Sequence, residues 1–309
     1  YFIERYVALG TMSRAVSQIF PSADSAVIAR GKYLAYGPAH CAQCHVPLDK
    51  VVEVENGKEI PMMGGFTFKL PPGHFPTPNI TPDEETGIGK YTDGQLARAM
   101  RHSIKANGDA MFPIMPFQEL SDEDLTAIVS FLRSQPAVKH EVPAKSYTML
   151  GKALAAFGAL DPVGPKKTPP KSVPIAATAE YGAYLANSVA NCNGCHTERD
   201  LKTGAFIGAP FAGGFYFEPD DFSKGYSFVS PNITPDKQTS VIGQMDESAF
   251  ITRFRQGRVH AGSPMPWGAY AKMTELELQA LYRYLQTVTP VEKAYDQLVF
   301  EPGEEYAGS

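Results

Sequence analysis

A chain of 309 residues with a formal charge of −5 and no basic cluster lacks the electrostatic footprint of a nucleic-acid-binding protein. Its length suits about two domains, and 27 glycines with 26 prolines make those domains loop-rich. No run approaches 18 consecutive apolar residues, so no membrane-spanning helix is expected within it.

Residues 1–22 come first. Tyr1 is not an initiator methionine, so a signal peptide or membrane anchor is expected to precede it. The semi-apolar run YFIERYVALGTMSRAVSQIF reads as an anchor remnant or a partner-docking helix, or equally as a helix packed on its own protein.

A helix over ARGKYLAYGPAH then runs into Cys41-Ala-Gln-Cys44-His45. Cys-x-x-Cys-His is the attachment signature of haem c: two thiols add to the porphyrin vinyl groups and the adjacent imidazole ligates the iron. The pattern returns as Cys192-Asn-Gly-Cys195-His196, which uses up all four cysteines. A four-cysteine zinc site would place its second pair within a few tens of residues, and a thioredoxin-like centre would sit beside a βαβ pattern. Neither holds here, so two covalently attached haem c groups are expected.

The motifs belong to a long internal repeat. Gly31 and Gly182 each stand ten residues before the first cysteine of their motif, where a missing Cβ suits close approach by another helix. TPNITPD at 77–83 returns as SPNITPD at 230–236, a loop that its prolines keep from being helical. Met115-Pro and Met265-Pro follow His45 and His196 by 70 and 69 residues, and nominate thioether sulfurs as the second axial ligands. Closing helices follow over LSDEDLTAIVSFLRSQ and MTELELQALYRYLQTV, capped by Ser121 and Thr274, with apolar stripes that are core.

These repeats divide the chain into 23–141, a Pro- and Lys-rich connector over 142–176 with a short helix around 148–160, a second domain over 177–291, and an acidic tail, 292–309, without a counterpart in the first half. Asn79 and Asn232 are candidates to contact a haem propionate or to brace the methionine loop. Arg101 and Arg255 suit propionates or are ordinary exposed arginines. Trp267 is expected at a haem edge. His74 and His102 lack histidine counterparts and read as surface or loop residues; His40 and His140 have no motif around them.

The paired motifs, Asn-Ile-Thr-Pro-Asp loops and Met-Pro dipeptides resemble the cytochrome c subunits of membrane-bound bacterial alcohol and related dehydrogenases. Such subunits commonly carry three haems, and this chain has two motifs. The resemblance implies an all-α fold of two tandem class I cytochrome c-like domains. It also implies electron relay between redox partner proteins, a membrane-bound dehydrogenase or respiratory complex among them, in the periplasm or at the periplasmic membrane face. The rivals are a dihaem peroxidase, which needs one iron able to open, and a haem-bearing structural subunit of a larger complex. Aligned Met-Pro pairs disfavour the peroxidase.

Overall fold

The computed structural model describes residues 19–111, 114–156, 162–200, 205–304 and 306; residues 1–18, most of the segment read as an anchor or docking helix, lie outside them. The chain forms two compact units that meet in sequence at Val173 and Pro174. In the first unit, helices α1 (Ser25–Tyr36), α2 (Cys41–Cys44) and α3 (Val51–Glu55) precede strands β1 (Thr67–Leu70) and β2 (Gly73–Pro76). Helices α4 (Asp93–His102) and α5 (Asp122–Ser134), strand β3 (Ser146–Tyr147) and helix α6 (Met149–Ala156) complete it. The second unit opens with α7 (Ala179–Tyr184), prolonged by a π-helical turn over Leu185–Val189, and α8 (Cys192–Cys195). It continues through β4 (Tyr216–Phe217), β5 (Ser227–Val229), α9 (Glu247–Arg255), α10 (Trp267–Tyr270), α11 (Glu275–Leu285) and β6 (Val299–Phe300).

Each unit is organised by a crossing of its first helix on its closing helix, and the repeated glycine permits it. A Cβ on Gly31 would lie 1.8 Å from the Ala127 carbonyl oxygen of α5, and one on Gly182 would lie 1.9 Å from that of Ala280 in α11. The closing helices begin where the sequence places their caps: Ser121 accepts from the Asp124 amide, and Thr274 forms a reciprocal capping box with Glu277. Leu125, Ile128 and Val129 are buried along α5, as are Leu278, Leu281 and Leu285 along α11. Each crossing is also pinned at one equivalent position. Arg30 Nε meets Asp124 Oδ1 at 2.9 Å, while the Tyr181 hydroxyl donates to Glu277 Oε1 at 3.2 Å.

The all-α expectation is wrong. Two three-stranded antiparallel sheets, ordered β1-β2-β3 and β4-β5-β6, stand beside the helices. Their cause is local: Phe66 and Phe68 alternate with Thr67 and Lys69, as Phe215 and Phe217 flank Tyr216, which is the period of a strand rather than a helix. The same-side rings pack edge to face, with centroids 5.0 Å apart in the first unit and 4.6 Å in the second.

The third strands come from segments that looked unstructured. Ser146 and Tyr147 pair with His74 and Gly73; Val299 and Phe300 pair with Phe228 and Ser227. The acidic tail therefore has a counterpart in the first half after all, in the opening of the connector. The connector is no free spacer either. Its Pro170 and Lys171 carbonyls accept from the Asp122 and Glu123 amides, both at 3.0 Å. These are two of the N–H groups that the start of α5 leaves without intrahelical partners.

Candidate haem sites

The geometry around each Cys-x-x-Cys-His motif follows from one sharp turn. His40 and Asn191, just before the first cysteines, adopt left-handed backbone at φ 42° and 53°. The four motif residues then make a single helical turn, closed by the His45 amide on Cys41 O at 2.9 Å and the His196 amide on Cys192 O at 2.8 Å. The histidine carbonyls accept in turn from Gly64 and Gly213, each at 2.8 Å and each at a positive φ that favours glycine.

The imidazoles are oriented identically. His45 Nδ1 lies 3.0 Å from Pro78 O, and His196 Nδ1 lies 3.0 Å from Pro231 O. A carbonyl only accepts, so Nδ1 carries the proton and Nε2 keeps its lone pair for a metal. Burial holds both imidazoles below their usual pKa, which favours that neutral form.

The thiols point the same way. Burial, with repulsion from the second cysteine as the smaller cause, pushes Cys41 and Cys192 up to about 12. Redox dithiols and zinc sites use thiolates, which this environment opposes. None of the four cysteines is in a disulfide. Among the described residues no group of three or more His, Cys, Asp or Glu is arranged to hold a bare metal ion. Neutral thiols beside an imidazole with a free Nε2 fit a thioether-linked haem.

Asn79 and Asn232 are spent within the protein. Asn79 Nδ2 donates to Thr86 Oγ1 and Val138 O, while its Oδ1 accepts from the amide and hydroxyl of Thr81. Asn232 makes the same four bonds to Thr239, Val291 and Thr234. Each amide ties the Asn-Ile-Thr-Pro-Asp loop to the irregular segment leaving the closing helix, and so holds the proline carbonyl that orients the histidine. Their hydrogen-bonding capacity goes to bracing.

The methionine straps differ between units. Met115 is half-buried, and Gln118 Nε2 joins its carbonyl, at 2.9 Å, to Ser103 Oγ at the end of α4, at 3.3 Å. Met265 is half-buried as well; its carbonyl accepts from the Trp267 amide at 2.8 Å. Trp267 lies against Phe254, and the Arg253 guanidinium covers its ring at 3.6 Å. Met111, four residues before Met115, is tied by its amide to Ser103 O at 2.7 Å.

The two equivalent arginines part company. Arg101 is 2% exposed and bonded to Asp122 Oδ1 at 2.5 Å and Leu120 O at 2.6 Å, whereas Arg255 is exposed and donates to Ala271 O. Among the histidines, His74 is exposed on β2. His102 is not a surface residue: it is 3% exposed, and neither ring nitrogen has a hydrogen-bond partner among the described residues. Burial, then Arg101 and Arg98, keep it below the usual histidine range. Sequence reasoning missed Gln118 and Arg253, which act through non-local contacts. It also missed the carbonyls of Pro78 and Pro231, although the repeated loop placed them in plain view.

Comparison with known proteins agrees with this geometry. The cytochrome c family profile matches residues 28–136. That stretch is a cytochrome c domain, the class of domain that carries covalently attached haem. Over most of its length the chain is similar to the cytochrome c subunit of the quinone alcohol dehydrogenase of Gluconobacter oxydans, at 30% identity across 87% of this chain and 56% of that protein. The fructose dehydrogenase cytochrome subunit of Gluconobacter japonicus matches at 27% identity, over 86% of this chain and 54% of the relative. A "diheme cytochrome c-type" protein of Cereibacter sphaeroides matches at 28%, over 67% of each. The chain spans little more than half the length of the dehydrogenase subunits it matches.

Proposed function

We propose that the chain is a dihaem cytochrome c that relays electrons from one redox protein to another. Cys41 and Cys44 would hold one haem, with His45 and Met115 as its iron ligands; Cys192, Cys195, His196 and Met265 would do the same for the second. One observation carries this reading: the histidine Nδ1-to-proline carbonyl bond, 3.0 Å in both units, within the same loop braced by the same asparagine. Reproducing the proximal support twice is what two attachment sites require.

The haem supplies a one-electron couple at its iron. The chain's own residues set the conditions. Pro78 and Pro231 keep Nδ1 protonated and make the ligating nitrogen more basic. A thioether opposite imidazole favours the reduced state relative to two imidazoles. With both a histidine and a methionine offered to each iron, no position would be left for peroxide, which argues against the peroxidase. Among the described residues no helix is long and apolar enough to cross a membrane.

The relatives are subunits of quinone alcohol and fructose dehydrogenases, and one is named for gluconate 2-dehydrogenase. A membrane-associated dehydrogenase is therefore the partner we assign, at the periplasmic face where haem c is attached. Intact mass after maturation tests the count. Two haem masses are expected, falling to one in Cys192→Ala/Cys195→Ala; a single haem in the parent would overturn it.

A further inference from the structure

We propose that Arg253 is a positioning residue for the iron ligand Met265, acting through the ring of Trp267. The inference rests on Met265 being the ligand, as proposed above, and adds what holds it there.

The methionine strap of the second unit is held upstream by Arg258, which donates to Ser263 O, and downstream by the Tyr270 hydroxyl on Ala190 O. Met265, Pro266 and Trp267 lead into a four-residue helix, α10, and the Trp267 amide donates back to Met265 O at 2.8 Å. The Trp267 ring thus reports and restrains the strap. Its face is covered by the Arg253 guanidinium, 3.6 Å from the ring centroid, and its edge meets Phe254 with centroids 5.8 Å apart. Arg253 is fixed from behind: its Nη1 donates to Gly257 O at 2.9 Å, and it sits in the last turn of α9, where a cation suits the helix C-terminus. The flat guanidinium is therefore held against the indole while the helix holds it in place, the geometry in which arginine exceeds lysine.

The first unit makes the contrast. Counting from the helix caps Thr92 and Asp246, the place of Arg253 is taken by Ala99, which cannot reach the strap. Gln118 takes over that duty, joining the Met115 carbonyl to Ser103, and the corresponding place in the second unit is Gly268. Among the described residues the straps are fastened by chemically different groups: Gln118 in the first, and in the second Arg253 through Trp267, with Arg258 on the Ser263 carbonyl upstream of the methionine. Loss of Arg253 then frees Met265 to leave the iron more readily, without touching the first haem.

The test uses the matured dihaem protein. The near-infrared iron–thioether charge-transfer band is followed as pH rises, with Arg253→Ala, Arg253→Lys, Trp267→Leu and the Arg253→Ala/Trp267→Leu pair. Arg253→Ala is expected to lose half of the band about one pH unit earlier than the parent, a roughly tenfold weaker hold consistent with a partly desolvated cation–π contact. Arg253→Lys should recover only part of this, and the double variant should lose no more than the sum of a shared contact allows. The half that belongs to Met115 stays unmoved throughout. Met265→Ala separates the two claims. If it leaves the whole band in place, the ligand assignment fails; if it removes half while Arg253→Ala titrates like the parent, the positioning role fails.

Discussion

The two units repeat their proximal sides and diverge on their distal sides. Around each histidine the same bonds recur: proline carbonyl to Nδ1, glycine amide to the histidine carbonyl, and an asparagine bonded to two threonines and a valine carbonyl. Around each methionine almost nothing recurs. Gln118 fastens one strap and Arg253 with Trp267 the other, and Arg101 is buried in an ion pair where Arg255 is exposed. Even the helix crossing, alike in shape, is pinned by an ion pair in one unit and by a phenol–carboxylate bond in the other. On the proposed reading, haem attachment tolerates one solution, while the environment of a methionine ligand tolerates many, and charge and packing there would tune a reduction potential.

The comparison can be broken at its shared parts first. Gly31→Ala and Gly182→Ala each drive a methyl into backbone, 1.8 and 1.9 Å from a carbonyl oxygen, where no side-chain movement relieves it. Each is expected to cost its unit roughly 3–4 kcal/mol in chemical denaturation, at the upper end of overpacking. Asn79→Ala strips four hydrogen bonds from a buried loop and Asn232→Ala five, and each should cost about 2–3 kcal/mol. Equal losses in the two units mean a shared brace; a loss in one alone would end the equivalence.

The divergent parts give smaller effects. Asp124→Asn should weaken the first crossing by about 1 kcal/mol, since Arg30 and Asp124 are partly buried. Glu277→Gln keeps an acceptor for Tyr181 and should cost under about 0.5 kcal/mol beyond its cap. Smallest and common to both units is an acid effect. Bonds from Thr86 lower the Asp83 pKa, and bonds from Thr239 lower that of Asp236. A depressed carboxylate stabilises the fold above its unfolded pKa and loses that contribution as pH falls through the folded one. Thermal midpoints measured from pH 7 down into the acid range should therefore fall less steeply in Asp83→Asn/Asp236→Asn than in the parent.

Much of this was legible in the sequence because it is local or periodic. The motifs, the capped closing helices and the glycine before each motif could be read from spacing alone, and the glycine's purpose followed from its missing Cβ. The sheets were missed for a physical reason. Phe66, Phe68 and Leu70 alternate over too few residues, between prolines, to outweigh a helical reading, and a two-residue strand such as Val299–Phe300 has no period at all. That strand exists because β5 offers it an edge. The burial of His102 and the reach of Arg253 to Trp267 depend on chain segments meeting in space, which one-dimensional spacing does not record.

Proton NMR of the fully reduced protein tests the central claim most directly, because a methionine methyl bound to haem iron is shifted far upfield by the porphyrin ring current. Two such methyl signals are expected, one vanishing in Met115→Ala and the other in Met265→Ala. A single signal, or a pair that survives either substitution, would contradict ligation of both haems by histidine and methionine.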